Sequence, residues 1–96
     1  MTEKNKIEYT VFRSFKLPVN EPVFTVSVVS RLLCIPVWML KKFDSEDIVC
    51  PCRSSGNDRL YSMKEVSELK YYWGLMQKRK VKIAGLKVIK EIRGRE

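Results

Sequence analysis

A chain of 96 residues with 19 Lys plus Arg, 11 Asp plus Glu and no histidine carries a net charge of +8 and a pI near 9.6. That length holds one domain with a modest core and leaves no room for a cofactor pocket beside a second regulatory domain. Its charge suits a polyanion, nucleic acid ahead of an anionic membrane surface, and no apolar run approaches the roughly 18 residues that a membrane span needs.

The charge is uneven along the chain. Residues 62–96 hold ten bases against four acids, whereas residues 24–61 hold five against four. Non-specific phosphate attraction is therefore expected from the C-terminal third, and sequence reading from the nearly neutral middle. Three cysteines is an odd number with no zinc-like spacing, so Cys34, Cys50 and Cys52 are expected as reduced structural thiols, with no metal and no cofactor. The polar N-terminus leads to no signal-like stretch, which predicts a cytoplasmic protein.

Residues 1–23 form a leader. Ile7, Tyr9 and Val11 alternate with Glu8 and Thr10 as in a half-buried strand, and Phe12, Phe15 and Leu17 follow before Pro18 and Pro22 break the segment. This apolar load is expected to dock near Trp73, Met76 or Ile89 and to help a second copy associate.

Phe24-Thr25-Val26 suits a minimal strand. Ser27 is placed to cap a helix, whose apolar stripe would be Val28, Val29, Leu32 and Leu33 and whose end falls near Cys34. Pro36 cannot continue that helix but suits the start of another, reaching about Ser45 or Glu46. Helix, short turn, helix is the helix-turn-helix pattern. At about 100° per residue, Val37, Leu40 and Phe43 face one side of the second helix while Trp38, Lys41 and Lys42 face the other. Such a helix can sit on a core and present cations and an aromatic ring to a DNA groove. An ordinary solvated face is the plain alternative.

Ile48-Val49 leads through Pro51 to a polar tip, Arg53 to Arg59, in which Gly56 and Asn57 tolerate positive φ. With Leu60-Tyr61 returning, residues 48–61 are expected as a two-stranded wing with an arginine at each shoulder. Ser62 and Glu65 fit a capping box, and Val66, Leu69, Trp73 and Met76 stripe a helix that runs to about Lys78 or Arg79. Gly74 inside it suggests the approach of another backbone. A last helix, from about Ile83 to Ile92, offers Ile83, Leu86, Ile89 and Ile92.

The order of these parts resembles the DNA-binding domain of the MerR family of bacterial transcription regulators. The stretch from Phe24 to Asp44 is similar to the family's strand, helix, turn and recognition helix without a gap, and Arg53 to Tyr61-Ser62 is similar to its wing. Ala84-Gly85-Leu86-Lys87 resembles the start of the last helix in the heat-shock-repressor branch. Coverage is roughly residues 24–92. The departures are specific: the family usually has arginine where Trp38 stands, tyrosine at Lys42 and often at Phe43, glycine at Cys34, Asp47 and Asn57, and commonly an aromatic at Asp58. The resemblance implies a mainly α winged helix-turn-helix of about four helices over residues 24–96, and a target sequence altered from the family's.

The DNA-contact candidates are Ser27, Trp38, Lys41, Lys42, Arg53, Asn57, Arg59 and Tyr61. Lys41 and Lys42 suit phosphates. Trp38 suits thymine methyls or sugar edges, unless it folds back onto Met39 or enters a dimer contact. Arg53 and Arg59 suit the minor groove or its flanks, and Tyr61 suits packing more than contact. Asp44, Glu46 and Asp47 cluster near a helix C-terminus, where their charge is mildly unfavourable. No catalytic constellation is visible, so an enzyme is not expected.

The expected function is sequence-specific binding of double-stranded DNA as a bacterial transcription regulator, as a homodimer, in the nucleoid. RNA polymerase or another regulator would be a further partner. If these 96 residues are the whole protein, there is no effector-sensing domain. Two rival readings are an excisionase-like or architectural DNA-bending protein and a protein-interaction module on a degenerate winged helix.

Overall fold

The computed structural model describes residues 18–94. In chain order these comprise β1 (Phe24–Thr25), α1 (Val26–Leu33), α2 (Val37–Ser45), β2 (Cys52–Arg53), β3 (Arg59–Tyr61), α3 (Met63–Lys78) and α4 (Ile83–Gly94). The result is mainly helical, with four helices and a small antiparallel sheet among the described residues, and is compatible with a winged helix-turn-helix. The leader's expected docking falls largely on residues 1–17 and lies outside the described residues.

The wing is wider than expected. β3 pairs with β2 through Cys52–Leu60 and Arg53–Arg59, and on its other edge it pairs with β1 through Phe24–Tyr61 and Thr25–Leu60. The two-stranded ribbon is thus the outer part of a three-stranded sheet in the order β1-β3-β2. Val23 adds a further amide bond to the Tyr61 carbonyl at 3.1 Å. A two-stranded hairpin alone is marginal in water, and the third strand fixes the wing to the helix-turn-helix.

Helix α1 starts two residues earlier than the sequence suggests. Thr25, not Ser27, is the N-cap, its hydroxyl accepting from the Val28 amide at 3.3 Å. The earlier start brings Val26 into register with Val29 and Leu33, three side chains within about 60° of one another on a helix. Val29 is buried and Val26 and Leu33 pack against the core, whereas Val28 and Leu32 of the expected stripe are exposed.

Helices α1 and α2 end by the same device. Cys34 and Asp47 adopt left-handed φ values of 56° and 59°. In each case the isoleucine that follows donates its amide back across the turn, Ile35 to the Ser30 carbonyl at 3.2 Å and Ile48 to that of Phe43 at 2.8 Å. This is the Schellman closure, which satisfies last-turn carbonyls and drives the next side chain inward. Ile35 and Ile48 are both buried.

The core gathers Val29, Ile35, Met39, Leu40, Phe43, Ile48, Val49, Tyr61, Val66, Leu69, Tyr72 and Leu86. Burying a side chain such as Leu40 or Phe43 contributes about 1.5–3 kcal/mol before ordering entropy is subtracted. Helix α3 begins with the expected capping box: Ser62 Oγ accepts from the Glu65 amide at 3.2 Å, and Glu65 Oε1 accepts from the Ser62 amide at 2.9 Å. Tyr72 joins its buried face, with Trp73 and Met76 half-buried beside it. Gly74 has nothing within 4 Å of where a Cβ would stand, so no backbone approaches it. In α4, Leu86 is buried and Ile83 and Ile89 pack on the core, while Ile92 lies outside it.

Candidate nucleic-acid interface

Helix α2 is seated by Met39, Leu40 and Phe43, all buried. The opposite side presents Trp38, Lys41, Lys42 and Ser45 at i, i+3, i+4 and i+7, and Val37, expected on the core side, is instead exposed at its edge, with Met39 buried in its place. Trp38 is 65% exposed, so it neither folds onto Met39 nor enters the core. Lys41 forms no ion pair or hydrogen bond among the described residues. Lys42 sits 3.5 Å from Glu46, and Ser45 Oγ donates to the Lys42 carbonyl at 3.0 Å.

The far end of α2 is a charged junction that the sequence did not show. Asp44 Oδ2 accepts from Arg53 Nη2 and from Arg59 Nε, each at 2.8 Å. One carboxylate therefore holds both shoulders of the wing against α2. Glu46 receives Lys87 from α4 in addition to Lys42, and Lys90 donates to the Asp47 carbonyl. Hydrogen bonding and charge from Lys87, with a smaller part from Lys42, hold the Glu46 carboxyl below its usual range.

For Asp44 and Glu46 these pairs offset the mildly unfavourable charge expected of the three acids. Their charge does oppose the helix dipole, but cations from the wing and α4 stand against it. Arg53 also reaches the Asn57 carbonyl at 3.5 Å. The arginines are thus not free projections of the wing, although the Arg53 side chain remains 41% exposed. The signal missed in the sequence was this pairing of Asp44 and Glu46 with distant bases, and the reach of Lys90 to the Asp47 backbone carbonyl 43 residues away.

The wing tip is a tight turn closed by the Ser54 amide on the Asp58 carbonyl and the Asn57 amide on the Ser54 carbonyl, both 2.8 Å. Asn57 takes the left-handed position with φ 68°, while Gly56 beside it does not. All three residues that stand where the resembling family has glycine, Cys34, Asp47 and Asn57, therefore occupy the positive-φ conformations that glycine would serve.

Ser27 loses the capping role expected of it, and Tyr61 takes the packing role that was expected ahead of DNA contact. Ser27 is not the helix cap; its exposed hydroxyl lies 3.3 Å from that of Thr25 at the start of α1. Tyr61 is fully buried and offers no surface to DNA. Its hydroxyl has no hydrogen-bond partner among the described residues, and burial pushes its pKa up to about 12. Tyr61 fills the space between sheet and helices, so packing is its role.

The cysteines are all free thiols. Cys50 Sγ donates toward the Asp44 carbonyl and Asp47 Oδ1, both at 3.6 Å, and burial raises its pKa. Among the described residues no group of three or more Cys, Asp or Glu side chains is placed to hold a metal ion. No helix among them is long and apolar enough to cross a membrane.

No protein-family model matches the chain. It is 30% identical over 78 residues to a protein of Streptomyces coelicolor named "Putative heat shock protein HspR", an alignment covering 81% of this chain and 52% of that protein. The chain thus spans about half the length of this curated relative.

Proposed function

We propose that this domain binds double-stranded DNA in a sequence-specific manner, as the DNA-binding part of a bacterial transcription regulator of the MerR kind. The observation that carries the reading is the outward side of α2, where Trp38 and Lys41 stand free on a helix whose other side is locked into the core. A helix seated in this way can enter a major groove with its N-terminal residues at the base edges. The wing would lie along the flanking backbone, with Arg53, Arg59 and Asn57 as its contacts. Similarity to the Streptomyces heat shock protein supports the same reading, because it covers the helix-turn-helix and wing together.

The unit that reads DNA is proposed to be a homodimer on an inverted repeat, since one module contacts too few base pairs for selectivity. No catalytic role is proposed. The exposure of Trp38 also favours a second reading, a protein-interaction module on a winged-helix frame.

Genomic footprinting in the native host separates these possibilities. Sites scattered over promoters support the regulator. A single attachment-like site would replace it with an excisionase-like protein, and no footprint would replace it with the interaction module.

A further inference from the structure

The outward side of α2 is poor in hydrogen-bonding capacity. Of its five side chains, Val37 and Trp38 have only apolar or aromatic surface to offer beyond the indole N–H. Lys42 is engaged by Glu46, and the Ser45 hydroxyl is engaged by the Lys42 carbonyl. Asp44 and Glu46, which could accept from a cytosine amine, are occupied by Arg53, Arg59, Lys87 and Lys42. Among the described residues Lys41 alone of the five is uncommitted, and there is no Asn, Gln or Arg on this helix to form a bidentate pair with adenine or guanine.

Resting on the DNA-binding reading above, we infer that α2 discriminates bases by apolar contact, with Trp38 and Val37 seated on thymine 5-methyl groups in the major groove. The thymine methyl is the apolar group that an unmodified base pair presents there. The same indole set against a G·C pair would strip water from guanine O6 and N7 and from the cytosine amine without replacing their hydrogen bonds, which disfavours that pair. Trp38 lies in the first turn of α2, the end that a recognition helix directs at base edges. Lys41, one turn further on, supplies a cation beside the apolar contact and draws the helix to the phosphates. Net charge of +8 favours a duplex over an apolar protein groove as the occupant of this face.

The test uses the full chain and a randomised duplex library selected at physiological salt. The recovered duplex is then remade with deoxyuridine in place of thymidine at each position in turn, which removes one methyl and nothing else. Affinity is expected to fall about fourfold at each contacted step, the effect of exposing one buried carbon. Replacing cytosine by 5-methylcytosine at a neighbouring selected step should restore affinity where the methyl reaches the same indole.

Trp38→Ala, a change on an exposed side chain, should lose the thymine–uracil difference at the step the indole covers and keep it where Val37 makes the contact, and Trp38→Phe should retain part of the difference. Equal affinity of the parent chain for both duplexes, or an undiminished methyl effect in Trp38→Ala, would overturn the inference while leaving DNA binding in place. A library that yields no enriched duplex would overturn the DNA reading itself, and with it this one, in favour of a protein partner for Trp38.

Discussion

The two ends of helix α2 are built on opposite principles. At the N-terminal end Val37, Trp38 and Lys41 are exposed, and among the described residues none of their side chains is held by another polar group. At the C-terminal end the Asp44 and Glu46 carboxylates are met by Arg53, Arg59, Lys42 and Lys87, and Lys90 donates to the Asp47 backbone carbonyl. The first end leaves its bonding capacity unused among the described residues. The second has used its capacity to fix the helix against the wing and α4. One short helix thus separates an open face from a fixing joint.

Both ends hang from the same anchors, so the largest effect should come from removing one. Phe43→Ala is expected to cost about 3–5 kcal/mol and to loosen both ends together. Trp38→Ala should change stability by less than about 0.5 kcal/mol, as a surface substitution does. Urea denaturation checks the pair; comparable losses would mean that Trp38 is a structural residue and that the two ends do not differ.

Asp44→Asn attacks the joint directly. It should lower stability by about 1–2 kcal/mol, between the values for an exposed and a buried ion pair. It also frees two guanidinium groups, so log K for random-sequence duplex should fall more steeply with log salt, by up to about 0.9 for each arginine that finds a phosphate. A shallower salt dependence in the variant would mean that the wing arginines already contact phosphate while bound to Asp44.

The open end predicts an asymmetry between adjacent lysines. Lys41→Ala should reduce the salt slope by about 0.9, whereas Lys42→Ala should reduce it less because Lys42 is engaged by Glu46. Binding isotherms at four salt concentrations decide the matter, and equal slopes for the two variants would remove the distinction.

The smallest effect expected is acid sensitivity at the joint. Glu46 is held below its usual carboxyl range chiefly by Lys87, so its ion pair stabilises the fold at and above ordinary carboxylate titration. That contribution is lost as pH falls through the lowered value. Lys87→Ala should therefore narrow the stability difference between pH 7 and pH 3 slightly. A wider difference would place the acid-sensitive contact elsewhere.

Local pattern made much of this fold legible from the chain. The Ser62–Glu65 box, the Pro36 start and the Phe43 and Leu69 anchors all follow from residues within one or two turns of each other. Thr25 and Ser27 are both competent caps two positions apart, and only the pairing of β1 with β3 selects Thr25. That strand pairing is also why the sheet has three strands, a fact that no short window contains. Within the candidate site, the outward position of Trp38 was readable from helical period. The Asp44 junction was not, since nothing local announces that Arg53 and Arg59 will converge on one oxygen.

The span of the contacts at that junction has a kinetic consequence. The capping box joins residues three apart, whereas the wing reaches Asp44 across nine and fifteen residues and Lys90 reaches Asp47 across forty-three. Contacts that close long loops tend to form after local ones, once the chain has already met the cost of bringing distant segments together. In stopped-flow experiments, Asp44→Asn and Lys90→Ala should then speed unfolding while leaving the refolding rate nearly unchanged, and Ser62→Ala should slow refolding. The joint would act as a latch on the finished domain, governing how long a folded molecule lasts more than how quickly it is made.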